Sequence, residues 1–175
     1  MKNNTNIVLI GFMGCGKSSV GIDLAKRISY SFVDSDLEIE KEIGMSISEY
    51  FKKYGEEQFR ILEEKTIKRL VRTTRQVIAT GGGIVKNPVN INHLKKTGHI
   101  VYLKASAKHI YNNIKNDSSR PLLNVEDKYN TIIALLNERK ELYEKHPDFI
   151  VEVDGKSIEE ISSLIINYLE EGQLL

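Results

Sequence analysis

An apolar run, Ile7-Val8-Leu9-Ile10, ends at Gly11-Phe12-Met13-Gly14-Cys15-Gly16-Lys17-Ser18, and a helix-forming stretch follows. The octet fits G-x-x-x-x-G-K-[ST] in the context that gives this pattern meaning, between a strand and a helix. Gly11, Gly14 and Gly16 allow positive φ and bring the backbone close to an anion with no Cβ in the way. The N–H groups of Gly14, Cys15, Gly16, Lys17, Ser18 and Ser19 then line an anion-binding nest at a helix N-terminus, where the helix dipole adds partial positive charge. Lys17 has the reach for β- and γ-phosphates, and the Ser18 hydroxyl suits one position on Mg²⁺. A nucleoside triphosphate is the expected ligand.

The rest of the chain repeats the strand-then-helix alternation of that first unit, which argues for an α/β fold with a mostly parallel sheet. Strands are expected near residues 6–11, 32–34, 77–80, 100–103 and 149–153. Helices are expected near 16–29, 37–43, 47–54, 56–73, 88–96, 107–116, 128–145 and 158–169. Val20, Leu24 and Ile28 recur at a four-residue spacing, and Phe59, Leu62, Ile67 and Leu70 are candidate core positions. Pro88 sits where a helix tolerates proline, in its first turn. The expectation is a three-layer P-loop fold: a five-stranded parallel sheet flanked by helices, in a single domain over 1–175, with a short lid at about 117–127.

A chain of 175 residues suits one domain with a substantial core. Its net charge of +1 offers no polyanion-binding surface, so nucleic acid is not an expected partner. No apolar run approaches the ~20 residues of a membrane span. The start, Met1-Lys2-Asn3-Asn4-Thr5, has no signal-peptide pattern, and the lone Cys15 excludes an internal disulfide. A cytoplasmic protein, without a membrane partner, is expected.

Four further features choose among P-loop chemistries. Asp34-Ser35-Asp36 closes the second strand, where ligands of open α/β sheets bind. One carboxylate there could hold Mg²⁺ through water while the other faces a hydroxyl; equally, Ser35 or Asp36 could cap the next helix. Arg60 and Glu63 share a helix face at i, i+3, either as an ordinary surface pair or as a guanidinium held for a carboxylate ligand. Gly81-Gly82-Gly83 follows a buried strand and suits close backbone approach to a ligand. Arg120, in a polar loop, could stabilise developing charge on a transferring phosphoryl group.

In their order and spacing, G-F-M-G-C-G-K-S, D-S-D, G-E-E-Q-F-R-I-L-E, I-A-T-G-G-G, R-P-L-L and E-R-K-E-L-Y resemble the shikimate kinases, from Asn6 to about Ile165. The resemblance implies transfer of the γ-phosphoryl of ATP to the 3-hydroxyl of shikimate, in the route to chorismate and the aromatic amino acids, by a monomer using Mg²⁺. It implies that Lys17 contacts the moving phosphoryl group, that Ser18 ligates Mg²⁺ and that Asp34 holds the metal through water. It further implies that Asp36 binds the shikimate hydroxyls and accepts the attacking proton. Arg60 and Arg139 would bind the carboxylate beside Gly82 and Gly83, and Arg120 would close with the lid over ATP. A kinase for another hydroxylated acid, such as gluconate, shares several of these needs, and a purely regulatory nucleotide-binding module shares the P-loop alone.

One departure stands out. Where many family members carry an arginine packed on adenine, about seven residues before the lid arginine, this chain has Asn113, beside Asn112. For the base that leaves the stretch around Asp154-Gly155-Lys156. Cys15 lies near Lys17 and a helix N-terminus, either as a thiol open to alkylating agents or as an unreactive small residue that ATP shields. His93, His99, His109 and His146 lack metal-ligand spacing. Phe51 and Phe59 are candidates to line the substrate pocket. The run Glu138-Arg139-Lys140-Glu141 would otherwise read as a solvated helix face.

Overall fold

The computed structural model describes residues 5–116 and 125–175, so Arg120 and most of the expected lid lie outside it. The described strands are β1 (Asn6–Ile10), β2 (Ser31–Asp34), β3 (Gln76–Ala79), β4 (Gly98–Lys104) and β5 (Phe149–Glu152). The described helices are α1 (Lys17–Ile28), α2 (Ser35–Ile43), α3 (Ile47–Leu70), α4 (Pro88–Thr97), α5 (Ala107–Ile114), α6 (Lys128–Lys145) and α7 (Ile158–Glu171), with a 3-10 turn over Ile84–Lys86. Each expected element is present, with ends moved by a few residues.

Local chemistry sets those ends. Ser46 and Glu49 form a reciprocal capping box at the start of α3, and Ser157 and Glu160 do the same for α7. Within α3, Gly55 leaves helical geometry at φ 82° and ψ 171°. The helix is therefore two segments meeting at a kink, as the separate stretches read from the sequence anticipated.

The sheet is parallel throughout, in the order β2-β3-β1-β4-β5. β1 is completely buried, which suits a central strand with elements on both faces. α1 packs on β3 and against α7, while α4 packs on β4 and against α3. Among the expected core positions, Val20, Leu24, Phe59, Ile67 and Leu70 are buried. Leu62 is only half-buried, and the charged Glu63 and polar Thr66 are buried instead.

The strand order positions the site. β3 lies between β2 and β1, with Asp34 and Leu9 both level with Ala79. The segment after β3 therefore emerges between the end of β2 and the loop after β1. The glycine triplet is flanked by the D-S-D segment on one side and the phosphate loop on the other. Among the described residues no helix is long and apolar enough to cross a membrane.

Candidate active site

The loop after β1 has the backbone its glycines allow. Gly11, Gly14 and Gly16 take φ values of 152°, 78° and 97°. At Gly14 a Cβ would lie 2.5 Å from Ile114 Cγ2, so both conformation and space exclude a side chain there. Gly16 precedes α1 with no side-chain cap, leaving the first-turn N–H groups for an anion. Lys17 is buried, and its Nζ donates to the carbonyls of Gly11 (2.7 Å) and Phe12 (2.9 Å).

Cys15 takes the unreactive of its two readings. Its thiol is buried at 2 % exposure, 3.7 Å from Lys17 Nζ and underneath Gly11, where an added Cβ would meet Sγ at 2.7 Å. A thiol packed this way is screened from alkylating agents by the protein itself, without ATP.

Asp34, rather than Ser35 or Asp36, caps α2. Its Oδ1 accepts from the N–H groups of Asp36 (3.0 Å) and Leu37 (3.3 Å). Its Oδ2 accepts the Ser18 hydroxyl proton at 2.8 Å, which brings together the two residues expected at Mg²⁺. Ser35 is fully buried, and its Oγ accepts from Gly81 N–H at 3.2 Å. Asp36 stands against the same glycine: a Cβ on Gly81 would lie 2.6 Å from Asp36 Oδ1.

Arg60 approaches the other end of the triplet, where a Cβ on Gly83 would lie 2.6 Å from its Nη2. The guanidinium is held on two sides. It donates to Glu56 Oε1 from Nε (3.2 Å) and Nη2 (2.9 Å), and to both Glu63 oxygens from Nη1 at 3.0 and 3.1 Å. The Glu63 side chain is only 1 % exposed, and Asn90 Nδ2 donates to its Oε2 at 3.3 Å. This is not the ordinary surface pair. Burial raises the Glu63 carboxyl above its usual range, against the opposing pull of Arg60.

Arg139 is 3 % exposed although Glu138, Lys140 and Glu141 around it are exposed. Its Nε is buried without a hydrogen-bond partner, and its guanidinium lies 5.7 Å from the centre of the Phe12 ring. No ion pair among the described residues involves Arg139 or Lys17. A buried cation with no protein anion beside it is the arrangement expected of a group that awaits an anionic ligand. One helical turn on, Tyr143 stacks on Tyr102 at 5.1 Å and donates its hydroxyl to the Gly82 carbonyl.

The residues read from the sequence thus gather around two adjacent loops. Lys17, Ser18 and Asp34 meet at the phosphate loop; Asp36 and Arg60 meet at the glycine triplet that includes Gly82 and Gly83; Arg139 lies by Phe12, four residues before the Tyr143 that bonds Gly82. Arg120 lies outside the described residues. Phe59 is buried beneath Phe51, with ring centres 4.7 Å apart. The four histidines join no metal-binding cluster, and none occurs among the described residues. Sequence reasoning missed Ser35 as a partner of Gly81, and it missed Asn90 and Tyr143. Only Tyr143 left a trace, four residues after Arg139 and hence on the same helix face. The structure also shows what Asn113 does: its Nδ2 donates to the Gly14 carbonyl at 2.8 Å.

Comparisons with known proteins identify the family. The family model for shikimate kinase matches residues 13–170. The shikimate kinase of Thermodesulfovibrio yellowstonii is 49 % identical over 165 residues, covering 94 % of this chain and 95 % of that protein. That of Caldanaerobacter subterraneus is 46 % identical, covering 92 % and 94 %. Among solved structures, the shikimate kinase of Acinetobacter baumannii in complex with shikimate superposes with a TM-score of 0.95 at 33 % identity, covering 99 % of this chain and 97 % of that one. A gluconokinase from Sinorhizobium meliloti, 16 % identical with a TM-score of 0.62, shares the fold.

Proposed function

The chain belongs to the shikimate kinase family, whose reaction is the ATP-dependent phosphorylation of shikimate, and on that premise we propose how its own residues carry the reaction. The observation that bears most weight is a pair of held guanidinium groups beside the two loops, Arg60 at the glycine triplet and the buried, ion-pair-free Arg139 by Phe12. Arg60 lies against Gly83, and Arg139 sits one turn from the Tyr143 that holds Gly82. Shikimate is a carboxylate bearing three hydroxyls. Arg60 and Arg139 bind the carboxylate, because planar forked donors match its two oxygens. Gly82 and Gly83 add backbone N–H donors.

Asp36 accepts from the shikimate hydroxyls and orients the attacking one toward the γ-phosphorus. Lys17 leaves the Gly11 and Phe12 carbonyls for the β- and γ-phosphate oxygens. Ser18 and Asp34, whose oxygens already stand at hydrogen-bond distance, would hold Mg²⁺, Asp34 through water, and the ion would neutralise charge on those phosphates. Arg120 completes the charge stabilisation from the lid. Positioning and electrostatics supply most of the catalysis, since a loose phosphoryl-transfer transition state asks little covalent help of the protein.

The reading extends to a monomer. It extends to dissolved small-molecule partners in the cytoplasm, where ATP is available. The test is ADP release from Mg·ATP with shikimate, and with gluconate in parallel. Turnover that requires shikimate supports the reading. Turnover with gluconate alone overturns shikimate as the acceptor.

A further inference from the structure

Three consecutive glycines form the most freely rotating segment a chain can have, and ordering them costs more backbone entropy than ordering any other residues. If the substrate had to order Gly81–Gly83, part of its binding free energy would be lost to that task. Two buried side chains already do it from behind. Ser35 Oγ accepts the Gly81 N–H at 3.2 Å, and the Tyr143 hydroxyl donates to the Gly82 carbonyl. Both residues are fully buried.

Each pin is itself held. Ser35 is the first residue of α2, directly after the Asp34 cap. The Tyr143 ring is stacked on Tyr102, with an angle of 8° between the planes. Burial raises the Tyr143 phenol well above its ordinary range and pushes that of Tyr102 up to about 12, so both stay protonated and Tyr143 remains a donor. Other side chains and backbone flank the loop. Asp36 approaches Gly81, Arg60 approaches Gly83, and a Cβ on Gly82 would lie 3.1 Å from Met13 N. With Gly81 N–H engaged by Ser35, neither Gly82 nor Gly83 N–H donates to any described residue.

We propose that Ser35 and Tyr143 are positioning residues for the substrate carboxylate: together they pin the Gly81–Gly83 loop so that the Gly82 and Gly83 amides face the ligand, and Tyr143 ties that loop to the helix carrying Arg139. The proposal rests on the reading of this loop as the shikimate site. Tyr143 and Arg139 lie four residues apart on α6, so the same face of the helix meets the loop through one and the ligand through the other. Ser35 gives the middle letter of D-S-D its own task, between two carboxylates that have theirs.

The experiment compares steady-state kinetics of wild type, Tyr143→Phe, Ser35→Ala and the double variant. Tyr143→Phe keeps the ring stack and removes only the hydroxyl. It should raise the shikimate KM about tenfold, as loss of one buried hydrogen bond implies, while leaving the ATP KM within about twofold of wild type. Ser35→Ala should do the same. The double variant should rise by less than the product of the two, because a loop released at one residue has less order left to lose. Shikimate titrations followed by calorimetry should show the same loss of affinity. An unchanged shikimate KM in a folded Tyr143→Phe overturns the proposal, as does an equal rise in both KM values, which would mark general loosening. If Ser35→Ala does not fold, Tyr143→Phe decides alone. Absence of shikimate turnover in the wild type would instead defeat the functional reading beneath it.

Discussion

The Asn113 carboxamide donates to the Gly14 carbonyl at 2.8 Å, binding α5 to the outer turn of the phosphate loop. Gly14 is also wedged against Ile114, so the end of α5 packs directly on the loop. Asn113→Ala should therefore raise the ATP KM about fivefold, the effect of one lost hydrogen bond, and spare the shikimate KM. Equal ATP KM values for variant and wild type would show that the loop holds its shape without α5.

Lys17 donates its ammonium to two loop carbonyls, and in the proposed reaction it would turn to phosphate. Lys17→Met keeps the stem and removes the charge. We expect kcat to fall by about 10³ or more, the scale seen when a transition-state charge partner is removed, while the thermal midpoint stays close to wild type. A folded variant with kcat near wild type would remove Lys17 from the chemistry.

Asp34 has two tasks at once, as cap of α2 and as acceptor from Ser18. Asn is as good a cap as Asp, so Asp34→Asn should keep the fold. It lacks the charge that would hold Mg²⁺. The Mg²⁺ concentration giving half-maximal activity should rise about tenfold, and Mg²⁺ should enhance ADP binding less in calorimetry. If Mg²⁺ enhances ADP binding in the variant as in wild type, the metal role lies elsewhere.

Glu63 carries a folded-state pKa above its ordinary value of 4.5. The sign follows from proton linkage. Its contribution to stability is fully present below the unfolded value and is lost as pH rises through the folded one. Glu63→Gln has no proton to lose. Urea midpoints measured from about pH 4 to pH 7 should therefore move in favour of the variant as pH rises. The same variant should bind shikimate more weakly, since Arg60 loses the partner that orients it. A stability difference that does not change with pH would show that burial leaves this carboxyl untouched.

Arg139 should prove specific to one substrate. Arg139→Ala removes a buried, charge-assisted contact and should raise the shikimate KM by about 10² with little change in the ATP KM. A parallel rise in both would argue against a carboxylate contact.

The backbone of the phosphate loop could be read from the sequence, because it is set locally. Three glycines at fixed spacing specify the φ values found, and a lysine and a serine directly after them begin the helix. The alternation of elements was legible for the same reason, since periodicity, caps and the Gly55 break are local signals. Arg60 with Glu63 was legible as a pair, but not that Glu63 is 1 % exposed, because burial of a charge depends on what the opposite side of the fold supplies, here Asn90. Arg139 was hidden in a run of charges, and only its likeness to a family pattern drew it out.

By itself the sequence determined an α/β chain with a phosphate loop and a set of polar residues at strand ends. Which of those residues meet was decided by strand order. Placing β3 between β1 and β2 sets Gly81 against Asp36, Gly82 against Met13 and Gly83 against Arg60, and no local pattern encodes that insertion. The physical reason is separation along the chain. Helices and turns are set by neighbours a few residues apart, whereas Ser35 with Gly81, Asn113 with Gly14, and Tyr143 with Gly82 are joined across 46, 99 and 61 residues by the packing of the whole sheet.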